Sequence, residues 1–331
     1  MALQHARPAE PPCGDPDTDP LQAWLRHMRR GEWERAWAIT DAELPLRACR
    51  PCAHWPRHMQ YVWTGAPLAN RRVLVRCYHG LGDTLQFIRY MRPLKAIARE
   101  VIVWAQPSLL GLLRGVAGID RLLPLHDGAP DAGYDADIEI MELAHFFRTT
   151  PATVPAEVPY LRAEPMALAR RADRPAIGLV WKAGDWNPAR SMPFATLMPL
   201  AELPDVDWFI LQPGAREAGW NGEFGRLPGE FGMTDYARAV RAMDLLVTID
   251  SMPAHLAGAL GVPVWTLLST EPDWRWMEGR QDSPWYPTMR LVRQAKAGDW
   301  AGVVARVGRM LGDRAARWKS GSGGFSANPI A

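Results

Sequence analysis

The feature that most constrains this chain is a strand-and-helix texture that starts at Arg71, stops, and starts again. Val73–Cys77, Val101–Ala105, Arg121–Leu125 and Asp137–Met141 are short apolar runs that read as strands, with helical periods over Asp83–Ala98 and Ser108–Leu113. Residues 151–175 then carry five prolines (151, 155, 159, 165 and 175) and no long apolar period, which is a linker composition. The pattern resumes with strands at Ala176–Trp181, Asp207–Leu211, Leu245–Ile249 and Val262–Leu268. Helices are expected at Phe194–Leu203, Asp235–Met243, Ala254–Leu260 and Trp300–Leu311. Apolar strands separated by helices predict parallel sheets covered on both faces. The expected class is therefore α/β, with two Rossmann-like doubly wound domains facing each other across a cleft. Ligands of such a pair bind at the carboxyl ends of the strands.

Ahead of these domains, Leu21, Trp24, Leu25 and Met28 recur at helical spacing; Gly31 interrupts them, and Trp33, Ala36, Trp37 and Ile39 resume. Two short antiparallel helices of this kind look like half of a tetratricopeptide repeat. Such a pair cannot bury its face alone and must pack on the main body or on another chain. Its tryptophans read as exposed and suited to a protein contact. The divisions expected are a disordered Pro- and Asp-rich lead-in over 1–20, a helical prefix over 21–62, a first domain over 63–165, a second over 174–312, and a disordered Gly/Ser-rich tail over 319–331.

Composition excludes several classes. Lys and Arg number 38 against 36 Asp and Glu, and a net charge of +2 is too small for general nucleic-acid binding. No apolar run reaches the ~18 residues of a spanning helix, and the start lacks the apolar stretch of a signal peptide. A cytoplasmic protein is expected, with peripheral association as the one membrane contact left open. Four cysteines do not make a disulfide framework. Cys49 and Cys52 have metal-ligand spacing beside His54, but no second pair follows at a finger-like distance, so free thiols and no metal are expected.

Four segments offer chemistry. His79-Gly80-Leu81-Gly82-Asp83-Thr84 lies between a strand and a helix, where two glycines let the backbone approach a ligand and the helix start offers free N–H groups. The third glycine of the dinucleotide fingerprint is missing. Asp83 either caps the helix or faces the cleft as a general base. The second segment runs from Asp250 to Pro263, with Ser251 and Pro253 at a helix start suited to a diphosphate and Ala254, Ala257, Gly258 and Gly261 small enough for close packing. His255 there is either a site residue or a satisfied buried histidine. The third is the loop Lys182 to Ser191, whose Lys182 and Arg190 either neutralise phosphates or lie solvated on the surface. The fourth, Thr270 to Trp276 with Asp282 to Pro287, clusters Trp and Tyr that either stack on a base or anchor the loop, with Glu271 or Asp273 placed for sugar hydroxyls.

The order and spacing of Gly80-Leu-Gly-Asp-Thr-Leu-Gln-Phe-Ile-Arg-Tyr90 and Asp250-Ser-Met-Pro-Ala-His255 through Gly261-Val-Pro263 resemble glycosyltransferase family 9, the heptosyltransferase-like group. Asp273-Trp-Arg-Trp276 and Ser283 to Arg290 look like its branch often fused to tetratricopeptide repeats, and the resemblance runs from Trp63 to Leu311. It implies a GT-B fold and inverting, metal-independent transfer of a heptose-like sugar from a nucleotide diphosphate donor, ADP-linked in the first instance. The acceptor would be a glycan, such as a lipopolysaccharide core sugar, or a protein hydroxyl. No cofactor beyond the nucleotide-sugar cosubstrate is implied. By the same resemblance Asp83 is the base, and Asp250, Ser251 and His255 belong to the donor site with Lys182, Arg190, Ser191, Gln212 and Glu271. His79, Gly80, Gly82, Thr84 and Gln86 form the phosphate and acceptor loop. Pro213 follows Gln212 where relatives often carry a lysine, so Lys182 or Arg216 would have to substitute. Two other readings of the same fold are an idle sugar-nucleotide or partner-binding module and a sugar-nucleotide epimerase.

Overall fold

A computed structural model describes residues 19–47, 49–50, 52–185 and 187–319. The lead-in up to residue 18 and the tail beyond 319, both expected to be disordered, lie outside the described residues.

The chain begins with a helical hairpin. In α1 (Pro20–Arg30), Asp19 accepts a hydrogen bond from the Leu21 N–H and Pro20 occupies the first turn, so the helix starts inside the expected lead-in. Gly31 ends it in the left-handed region at φ +78°, and α2 (Trp33–Arg47) returns. The hairpin packs on the main body of its own chain. Trp33 is 1% and Trp37 4% exposed, which corrects the expectation of an exposed tryptophan surface.

The first sheet consists of β1 (Arg72–Arg76), β2 (Glu100–Ala105), β3 (Arg121–Pro124) and β4 (Ala136–Glu139), all parallel in the order β3-β2-β1-β4. Val73 pairs with Val101 on one side and Ala136 on the other. Between strands lie α3 (Leu81–Phe87), α4 (Met91–Ile97) and α5 (Leu110–Leu113), and α6 (Leu143–Phe146) follows β4. The helix expected over Asp83–Ala98 is two, split by a 3-10 turn over Ile88–Tyr90. Pro93 has no N–H to give the Arg89 carbonyl, so a continuous helical ladder fails there.

The second sheet, also parallel, runs β6-β5-β7-β8-β9, from β5 (Ala176–Val180), β6 (Asp207–Ile210), β7 (Leu245–Ile249), β8 (Val264–Leu268) and β9 (Met289–Arg293). Its α-helices are α7 (Met233–Arg241), α8 (Met252–Ala259) and α9 (Trp300–Lys319). The last runs past the expected end at Leu311 to the residue assigned to the tail. Phe194–Glu202 is 3-10 rather than α, with Pro199 inside it. β9 was not expected: its two arginines and the preceding Pro- and Trp-rich loop hide a short strand.

The linker composition of 151–175 does not make a loose tether. The backbone N–H groups of Tyr160 and Leu161 both donate to the Ala259 carbonyl, and that of Met166 donates to the Arg238 carbonyl. One apolar core joins the hairpin, the first sheet and the helices between the sheets; a second covers the far face of the second sheet. Between the sheets α3 lies against α8. A Cβ on Gly82 would stand 3.0 Å from His255 Cδ2, a tight fit, and one on Gly258 would stand 2.3 Å from the Tyr286 ring, so Gly258 is required by close approach. Arg89, buried at this junction, donates to the carbonyls of Gln86 and Trp285 and to the Tyr160 hydroxyl, with the Tyr286 ring 4.6 Å away.

No helix among the described residues is long and apolar enough to cross a membrane. Cys49 is exposed, Cys52 half-buried and Cys77 buried, all as free thiols. No group of three or more His, Cys, Asp or Glu among the described residues stands close enough to hold a metal ion.

Candidate functional site

The site forms where the carboxyl ends of β1, β4, β5 and β7 meet. After β1 the chain turns at Gly80 and enters α3, with Asp83 in its first turn. One carboxylate oxygen of Asp83 accepts from the Gly80 N–H at 2.9 Å, the return half of a capping box, and the other accepts from Arg275. Asp83 thus caps and faces the cleft at once. Arg275 comes from the 3-10 turn Trp274–Trp276 of the second domain and also pairs with Asp273 at 2.9 Å. It is 7% exposed. Burial works to lower its pKa, but Asp273, Asp83 and Asp250 together raise it above the ordinary arginine value.

At the end of β7, the Asp250 backbone carbonyl accepts from Arg190 at 2.9 Å. Asp250 is 6% exposed, and one of its carboxylate oxygens has no hydrogen-bond partner among the described residues. Burial pushes its pKa up to about 6, reinforced by the charge of Asp273 and opposed by Arg190 and Arg275. Burial also lowers the Arg190 pKa, against Asp250, Asp273 and Asp83. At the end of β4, Glu139 is buried and its carboxyl lies well above the usual carboxylate range through burial, with Glu142 and Asp83 adding to it. Burial depresses His79, 3.9 Å from Glu139, while Asp83 opposes. The cleft floor therefore alternates cations, carboxylates and carboxyls held toward their neutral form.

Beside it a cavity of about 400 Å³ is lined by Lys182, Gly184, Gln212, Gly214, Ser251 and Pro253 among others. The start of α8 faces this cavity. Ser251 does not cap the helix; its hydroxyl turns back to the Ile249 carbonyl at 3.4 Å. A helix start with a nearby lysine favours an anion. A second cavity of about 280 Å³ shares Gln212, Pro213, Gly214 and Met252 and continues to Leu81 of the first domain.

Several expected site residues also hold together the loops around the site. The Gln212 amide oxygen accepts from the N–H groups of Trp181 and Lys182, and its nitrogen donates to the carbonyls of Lys182 and Pro213. Gln212 thereby ties two loops together at the wall of both cavities. His255 is buried, donates to or accepts from the Tyr286 hydroxyl at 3.0 Å, and stacks on Trp276. Burial pushes its pKa well down, with Arg275, Arg89 and Arg190 reinforcing. Ser191 accepts from the Ala183 N–H at 3.0 Å and closes its loop. Gln106 bridges the Thr84 hydroxyl and the His79 carbonyl. Gln86 is wholly buried, with its amide unpartnered among the described residues. Glu271 is exposed and lines neither cavity. Lys182 reaches the cavity, whereas Arg216 stacks over Trp220.

Sequence reading missed Arg275 and Glu139. The signal was present: an arginine between two tryptophans and a glutamate closing an apolar strand are both set to be buried, and a buried charge must be paired or neutralised.

No family model matches the chain. It is 26% identical over 302 residues to Protein FlbA of Caulobacter vibrioides, in a match covering 77% of this chain and 48% of that protein. The chain thus spans about half the length of this relative. Among solved structures, a glycosyl transferase family 9 protein from Veillonella parvula superimposes with a TM-score of 0.56 at 12% identity, covering 78% of this chain and 99% of that one. The fold is GT-B-like, that of family 9 glycosyltransferases. The E. coli ADP-heptose lps heptosyltransferase II gives a TM-score of 0.51 at 17% identity, covering 74% of this chain and 99% of that one.

Proposed function

We propose that this chain is an inverting glycosyltransferase that moves a heptose-like sugar from an ADP-linked donor to a glycan or protein hydroxyl without a metal ion. The observation that carries the reading is the placement of Asp83, at the head of α3, beside the cavity at the head of α8. A carboxylate and an anion-favouring helix start thereby share one cleft.

In this mechanism the Asp83 carboxylate takes the proton of the acceptor hydroxyl, whose oxygen attacks the anomeric carbon from the face opposite the diphosphate. The bond from the anomeric carbon to the diphosphate oxygen breaks, and the nucleoside diphosphate leaves with that electron pair. Its developing charge is met by the α8 N-terminus, Lys182 and Arg190, in place of a metal ion. One attack from the opposite face inverts the anomeric centre.

The first test is thermal stabilisation by ADP, UDP, GDP and CMP in metal-free buffer. A nucleotide at ~100 times its Kd adds about 2.7 kcal/mol to stability. A selective response to ADP supports the donor class. Silence from all four refutes the donor site and leaves an idle module on a transferase fold.

A further inference from the structure

We infer that Arg275 is a positioning residue for Asp83, reaching from the second domain to fix the carboxylate of the first. The assignment rests on the transferase reading above and deepens it. The two oxygens of Asp83 are engaged separately, one by the Gly80 N–H and one by Arg275. A carboxylate has about four lone-pair sites, so this arrangement sets its plane while leaving sites open to an incoming hydroxyl proton.

Arg275 is itself held by neighbours from both domains. Asp273 pairs with its guanidinium and accepts from its backbone N–H, and its carbonyl accepts from the Trp285 indole at 3.1 Å. The guanidinium lies 5.1 Å from the Trp274 ring and 5.6 Å from the Phe87 ring. Behind it the helical hairpin closes the stack: Trp274 meets Trp24 at 5.5 Å and Trp33 at 6.1 Å, edge to face. Met277, which ends the turn, holds φ +53°, unusual for a residue with a side chain. The next N–H, of Glu278, donates to the Arg29 carbonyl of α1. The hairpin thus buttresses the turn that delivers Arg275, and Arg275 aims Asp83.

The test uses the full chain with Arg275→Ala, Arg275→Lys and Asp273→Asn, the nucleotide-sugar donor varied at saturating acceptor. Misplacing a catalytic group by about 1 Å costs up to ~100-fold. Arg275→Ala is expected to lower kcat at least ~tenfold with the donor KM unchanged, Arg275→Lys to recover part of the loss, and Asp273→Asn to lower kcat in the same direction. In scanning calorimetry, Arg275→Ala and Asp83→Asn should lower Tm by less together than the sum of their separate effects. A rise in donor KM in Arg275→Ala, an unchanged kcat, or additive Tm losses would overturn the assignment while the transferase reading stands. A wild-type protein with no transfer activity overturns both.

Discussion

Replacing Asp250 with Asn should make the protein more stable at alkaline pH and less active. The Asp250 carboxyl is buried beside Asp273, and its pKa stands at about 6. A pKa raised by folding means that the fold favours the protonated acid. The stability this contributes is whole below the ordinary aspartate range near 4 and is lost as pH rises through about 6. At pH 8 the ionised group costs the native state about 3 kcal/mol relative to an uncharged isostere. In a chain of this length that corresponds to ~5 °C in Tm. Asparagine has the same shape and no charge to desolvate. Any penalty from its amide hydrogens is the same at every pH and cancels when the Tm gap between the two proteins is followed across the titration. The gap should be near its baseline at about pH 3.5 and should open in favour of Asp250→Asn by pH 8. A gap that does not change with pH would refute the burial argument. Lost activity in the stabilised variant would show an acid retained at a cost to stability because the site needs it.

Asp83→Asn should lower transfer by at least the ~100-fold typical of a lost general base, with ADP affinity by calorimetry within a factor of two. Lost binding would make Asp83 structural. Arg190→Ala should raise the donor KM and lower kcat, and steady-state kinetics with neither value moved would remove Arg190 from the site. Trp33→Ala, which empties a fully buried ring site between Trp274 and Trp285, should cost ~3–5 kcal/mol in urea unfolding. A loss under ~1 kcal/mol would mean that the hairpin does not share the main core.

Which parts were legible in the sequence follows from how local each signal is. Strands β1, β2, β5, β7 and β8 are buried on both faces, and a run such as Leu245–Ile249 has almost no other use. Pro93 and Pro199 altered elements in ways that depend on one missing N–H, which a period count does not register. The small residues of α8 predicted close packing, and Gly258 against Tyr286 shows why. The site was half legible. Asp83, Asp250 and Arg190 could be singled out because each lies after a strand end, and their meeting is a property of the topology. Arg275 reaches Asp83 across 192 positions of sequence, and no spacing rule covers that distance. Gln212 shows a second use of such a position: a polar residue at a strand end can tie two neighbouring loops together while it lines a cavity.

Arg89 sets a boundary on how substrates come and go. A guanidinium solvated by carbonyls and rings drawn from the first domain, the crossing segment and the second domain would lose that solvation if the halves swung apart about this point. The junction therefore behaves as a weld rather than a hinge. In the proposed transferase, traffic through the cleft would fall to the rim, where Lys182, Asp185, Pro213 and Glu217 are exposed and can give way without uncovering a buried cation.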